Sequence, residues 1–145
     1  PGQEQLAAIR LARIGFDNVL GALADPLRCF VEHPDQVERL SRLTVADFAA
    51  RQREVEGLVV VDIRNPGETA LGSIPGALQI SLPALLTRID ELDKNAPTVV
   101  FCAGGYRSAI ASSLLRSHGF TDVSDIIGGY TAWSAAQHEL PAGAR

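Results

Sequence analysis

The sequence predicts an α/β protein built on a parallel sheet with helices on both faces, and three observations carry that expectation. Thr98–Phe101 is a short apolar, β-branched run of the kind buried on both faces of a parallel sheet. Further short runs stand at Leu58–Ile63 and Val123–Ile127, and stretches with helical spacing lie between them. The 145 residues, 46% hydrophobic with 13 glycines, suffice for one domain with a sizeable core and a little to spare.

In chain order, Gln3–Arg13 predicts a helix, with Leu6, Ile9 and then Ile14 apolar. Pro26 and Pro34 punctuate a connector through His33 and Asp35. Residues 1–40, with no disulfide or metal to brace them, must pack on something. Thr44 with Asp47 resembles a capping box, followed by an apolar side of Val45, Phe48 and Ala49. Leu58–Ile63 is a buried strand, Asn65-Pro66-Gly67 a turn, and Gly72–Gly76 a second glycine-and-proline loop. Leu78–Ile80 suits a short strand, and Pro83–Leu92 a helix starting near Ser81. After the Thr98–Phe101 strand a helix runs from Ser108, with Ile110, Leu114 and Leu115 on one face and Gly119 as its stop. Val123–Ile127 is another strand, and Thr131 opens the final helix.

In a sheet of this class ligands bind at the carboxyl ends of the strands, and Cys102 stands at such an end. Gly104 and Gly105 follow it, and Arg107 closes the loop at the start of the next helix. Glycines let successive N–H groups turn inward, and the helix start adds partial positive charge. A thiol of pKa near 8.5 needs a shift of about two units, roughly 2.7 kcal/mol, to be mostly thiolate at neutral pH. A helix terminus supplies about 0.3–2 kcal/mol, so the loop amides and Arg107 must supply the remainder. The pattern points to an activated nucleophile rather than a small buried hydrophobe.

Other chemistries find less support. A formal charge of −4 without a basic run argues against nucleic acid, and no apolar stretch is long enough for a membrane span. His33, His118 and His138 lack ligand spacing, so no metal is expected in this chain. Neither a Gly-x-Ser-x-Gly elbow, a phosphate-binding Gly-Lys-Ser/Thr loop nor a Gly-x-Gly-x-x-Gly fingerprint is present. The two cysteines, Cys29 and Cys102, make no disulfide framework and point to a reducing, cytoplasmic setting, with Cys29 structural. The chain has no methionine, including at position 1, which suggests a piece of a longer protein.

Cysteine, four residues, arginine and serine after an apolar strand resembles the active-site loop of the rhodanese sulfurtransferases. Val59-Val60-Val61-Asp62-Ile63-Arg64 with Glu68 is similar to that family's first strand signature, and Gly72-Ser73-Ile74-Pro75-Gly76-Ala77 to its Gly-His-Ile-Pro-Gly-Ala turn. Gly119-Phe120, Val123, Gly128-Gly129 and Trp133 are similar to its closing pattern. The resemblance implies a rhodanese domain over residues 41–145, with sulfane sulfur carried as a persulfide on Cys102. It implies that Arg107 orients an anionic substrate or stiffens the loop, and that Ala103, Gly104, Gly105, Tyr106 and Ser108 line the substrate site. Asp62 and Arg64 would stand behind them, although an Arg64–Glu68 ion pair bracing the turn explains those residues equally well. Ser108 suits an N-cap as well as a donor to sulfur.

Two departures bear on the donor. Ala103 stands where many thiosulfate-using relatives carry a basic or polar residue, and Ser73 replaces the usual histidine. The expected donor is therefore thiosulfate or glutathione persulfide, with a thiol such as glutathione, or sulfite, as acceptor. Two alternatives remain: a non-catalytic interaction module, and a cysteine-dependent phosphatase, whose loop has five intervening residues rather than four.

Residues 1–40 read as a linker or as the remnant of a preceding, degenerate rhodanese-like unit. Ala7–Val19 laid over Ala111–Val123 matches at Ala7/Ala111, Leu11/Leu115, Gly15/Gly119, Phe16/Phe120 and Val19/Val123. Ala12–Gly21 also resembles the linker of fusions between a metallo-β-lactamase-fold persulfide dioxygenase and a rhodanese domain. That resemblance implies a linked or associated dioxygenase carrying iron, while the present chain needs no cofactor of its own.

Overall fold

The computed structural model describes residues 2–12 and 17–139. The chain divides into two units, between Arg39 and Leu40. In the first unit, α1 (Glu4–Ala12) and α2 (Pro26–Glu32) bury no residue. Asp25 caps α2 by accepting from the Arg28 amide at 3.1 Å, and Pro26 fits the first turn, where its missing N–H costs nothing. Val19–Leu23 carries no strand, whereas the matching Val123–Ile126 forms one, and Leu20 is 92% exposed. Gly15 and Phe16, which carry part of that internal match, lie outside the described residues.

The second unit holds β1 (Ser41–Leu43), α3 (Val45–Glu54), β2 (Val59–Asp62), α4 (Pro66–Thr69) and β3 (Leu78–Gln79). It continues with β4 (Thr98–Phe101), α5 (Tyr106–Ser117), β5 (Val123–Ile126) and α6 (Gly129–Glu139). The strands form one parallel sheet in the order β1-β5-β4-β2-β3. Successive side chains of a strand point to opposite faces, and that alternation sorts the core. Val61, Val100 and Cys102 pack with Ala111, Leu115 and Phe120 on one face. Val60, Val99 and Phe101 pack with Phe48 and Ile126 on the other, where Tyr130 and Trp133 of α6 also lie. Cys102 thus continues the face of Val100, which aims its sulfur toward α5. Both faces are covered, which is why all four residues of β4 are buried.

Local signals explain most of the elements. The Thr44–Asp47 capping box forms, with the Asp47 amide donating to Thr44 Oγ1 at 3.1 Å and Asp47 Oδ2 accepting from the Thr44 amide at 3.2 Å. Three expectations need correction. Asn65-Pro66-Gly67 is not a free turn but opens α4, because Glu68 reaches back to the Asn65 amide at 3.1 Å. The helix expected near Ser81 to Leu92 is two 3₁₀ turns, Leu82–Ala84 and Ile89–Glu91. There Thr87 Oγ1 donates to the Ala84 carbonyl at 2.9 Å and Arg88 Nη1 to the Gln79 carbonyl at 3.1 Å. The buried face of α5 is Ser108, Ala111, Ser112 and Leu115 rather than the Ile110/Leu114 side, because small residues let the helix approach the sheet closely. No helix among the described residues is long and apolar enough to cross a membrane.

Candidate active site

The loop between β4 and α5 is built from the outside inward. Its carbonyls are turned away: Cys102 O accepts from the Tyr130 amide at 2.7 Å and Ala103 O from the Thr131 amide at 3.0 Å. Both donors are at the start of α6, whose first N–H groups have no partner within their own helix. This contact requires Gly129, since a Cβ there would lie 2.1 Å from the Cys102 carbonyl oxygen. Gly105 O accepts from Arg42 Nη2 at 3.3 Å. Gly105 itself sits at φ +93, where a side chain would be strained, and it caps α5.

With the carbonyls outside, amides face in. The Gly105 amide donates to Cys102 Sγ at 3.1 Å, and the Ser108 hydroxyl when turned to the sulfur, followed by the amides of Ser108 and Gly104, also stabilises the thiolate. Burial pushes the Cys102 thiol up, but these donors outweigh it and hold the thiol below its ordinary range. Cys102 as a whole residue is 1% exposed.

Arg107 lies at the rim, and both its terminal nitrogens donate to Glu68, each at 2.7 Å. Glu68 raises the Arg107 cation, with a smaller contribution from Cys102. In return Arg107 first, and the Asn65 amide after it, hold the Glu68 carboxyl down to about 2 against the cost of burial. Arg64 therefore does not pair with Glu68 as anticipated. It pairs with Asp62, Nη2 to Oδ2 at 2.6 Å, donates to Gly72 O at 2.7 Å, and lies over the Tyr130 ring at 4.0 Å. Ser73, at the position of the expected histidine, donates to Asp62 Oδ2 at 2.6 Å.

Of the remaining residues expected at the site, Gly104 and Tyr106 are exposed, Tyr106 by 78%, and Ala103 is half-buried. Ser108 is buried in the first turn of α5 and is not its N-cap. Its Oγ lies 3.6 Å from Cys102 Sγ and 3.1 Å from Asp125 Oδ2. Sequence reasoning missed Asp125 and Arg42, although an aspartate inside the apolar run of β5 was a usable signal. Arg42, 83 residues before Asp125, offered none.

Residues 44–136 match the rhodanese-like domain. The chain belongs to that family. A sulfurtransferase of Allochromatium vinosum is 38% identical over 94 residues, covering 65% of this chain and 86% of that protein. The thiosulfate sulfurtransferase GlpE of Pseudomonas putida is 40% identical over 87 residues, covering 60% and 79%. A crystal structure of a rhodanese-like domain protein from Staphylococcus aureus superposes with a TM-score of 0.61 at 31% identity, covering 65% and 91%.

Proposed function

We propose that this rhodanese-type sulfurtransferase carries sulfane sulfur as a persulfide on Cys102, taking it from thiosulfate or glutathione persulfide and giving it to a thiol or sulfite. The observation that supports this most is the inward-facing set of amides around a sulfur, with the Cys102, Ala103 and Gly105 carbonyls engaged elsewhere. In the first step the Cys102 thiolate attacks the outer sulfur of the donor. A new S–S bond forms as the donor's S–S bond breaks, and sulfite or glutathione thiolate leaves with the electron pair. An acceptor thiolate, or sulfite, then attacks the terminal sulfur and returns Cys102 as thiolate. Neither step demands a general base, because nucleophiles and leaving groups are already anions. The depth of Cys102 favours a donor that offers its sulfur end-on from a narrow stem.

The charges around the loop bear on which donor that is. Arg107, Arg64 and Arg42 are each bound to a carboxylate, Glu68, Asp62 and Asp125. A small dianion gains less from such neutralised pairs than from an unpaired cation, which favours the persulfide of a thiol such as glutathione. A linked or associated persulfide dioxygenase would share that persulfide, as a second consumer of it. Mass spectrometry of the chain after exposure to thiosulfate or glutathione persulfide tests the reading. One added sulfur on Cys102, together with loss of transfer in Cys102→Ser, is expected. A protein that stays unmodified, or a Cys102→Ser variant that still transfers sulfur, would overturn it.

A further inference from the structure

The side of Cys102 away from Arg107 carries a second ionic group that the reaction above does not use. Asp125, in the middle of β5, is fully buried. Arg42 of β1 binds it with two prongs, Nε to Oδ1 at 2.9 Å and Nη2 to Oδ2 at 3.0 Å, and the same Nη2 reaches Gly105 O. Oδ2 also accepts the hydroxyl of Ser108, whose oxygen is the neighbour of Cys102 Sγ. A hydroxyl has one proton. While Ser108 gives it to Asp125, the oxygen presents only lone pairs to the sulfur, which suits a thiol and not a thiolate.

We propose that Arg42 and Asp125 are positioning residues that set the reactivity of Cys102 in opposite directions. Asp125 restrains the thiolate, by its charge and by claiming the Ser108 proton. Arg42 relieves that restraint by neutralising the carboxylate, and it holds the Gly105 carbonyl out of the loop. The electrostatic reach is short, and half the Arg42 side chain is in contact with solvent, so the pair is balanced rather than overwhelming. Cys102 in turn adds to the forces that raise the Arg42 cation, after its hydrogen bonds and charge pairing with Asp125. The other charged groups at the site are committed: Arg107 on α5 to Glu68 of α4, and Arg64 to Asp62 at the end of β2. Tyr130 of α6 lies against Arg64. None of these pairs contacts Ser108, so the Asp125 side is the one that can be tuned through the hydroxyl.

The inference takes Cys102 as the nucleophile, but it is tested without sulfur transfer. The rate of iodoacetamide alkylation at Cys102, followed across pH by mass spectrometry that separates it from Cys29, reports the thiol midpoint. Asp125→Asn removes the charge and lets the new amide donate to Ser108, freeing its proton for the sulfur. The midpoint should fall by about one pH unit, giving up to roughly tenfold faster alkylation below the native midpoint. Arg42→Met leaves the carboxylate uncompensated and should raise the midpoint by a similar amount. The double variant should lie between Asp125→Asn and native, because the two charges are removed together while the Ser108 proton stays free. Arg42→Lys, which keeps the charge, should lie nearer native than Arg42→Met. Midpoints that coincide in all variants, or that move the same way in both single variants, overturn the proposal. Arg42 is partly exposed, so Arg42→Met gives a decisive reading even where Asp125→Asn folds poorly. Failure of sulfur transfer with an intact alkylation pattern would instead count against the proposed function alone.

Discussion

Two strand-to-helix turns meet at the site, and they are made of different materials. Asp62 and Phe101 are register partners, so β2 and β4 end at the same level. The turn after β4 is nearly all backbone: two glycines, amides aimed inward, and a helix of 12 residues behind them. The turn after β2 is nearly all side chain: Asp62, Arg64 and Glu68, with Ser73 from the next loop, and a helix of only four residues. Backbone dipoles are rigid and suit a sulfur that gains charge. Side-chain charges are longer and mobile, and here each is held by a partner, so this turn fixes the wall of the site and the position of Arg107.

The sharpest break of that contrast is Asp62→Ala. It strands Arg64, 5% exposed, without its carboxylate, and should cost about 3–5 kcal/mol in urea unfolding. A loss under 1 kcal/mol would mean that the β2 turn is not held by this pair. Next comes Arg107→Met, which leaves the amides in place and removes the rim cation. Steady-state sulfur transfer should lose about 100-fold in kcat/KM. An unchanged value would confine Arg107 to bracing Glu68. The smallest effect is that of pH on the Glu68–Arg107 pair. The folded Glu68 carboxyl lies near 2 and the unfolded one near 4.5, so the pair's stabilisation is complete above the higher value. It is lost as pH falls through that window, and solvent screening keeps it small, because a third of the Glu68 side chain is exposed. Glu68→Gln should remove this part of the acid slope and leave stability at neutral pH only slightly reduced.

Features set by neighbouring residues are legible in the sequence, and the partners of the charged side chains are not. The limits of β4 and the capping box at Thr44 followed from apolar runs and short-range spacing. So did Cys102 at a strand end under glycines, since those signals lie within a few residues of one another. The partners of charged residues did not follow. Glu68 was as close in sequence to Arg64 as a pair can usefully be, yet it turned to Arg107, 39 residues away. Arg42 lies 83 residues from Asp125. The 3₁₀ turns at Leu82–Ala84 and Ile89–Glu91 were not legible either, because the apolar spacing there is helical.

By itself, the sequence determined that a parallel α/β sheet forms and that one sulfur stands at its carboxyl edge, because strand periodicity and glycine-permitted turns are local properties of the chain. The tertiary structure alone decided which carboxylate Arg42, Arg64 and Arg107 each take, and that α6 collects the Cys102 and Ala103 carbonyls of the β4–α5 loop. Those outcomes depend on strand order: β5 beside β4 brings Asp125 to Ser108, and β1 beside β5 brings Arg42 to Asp125 and the Gly105 carbonyl.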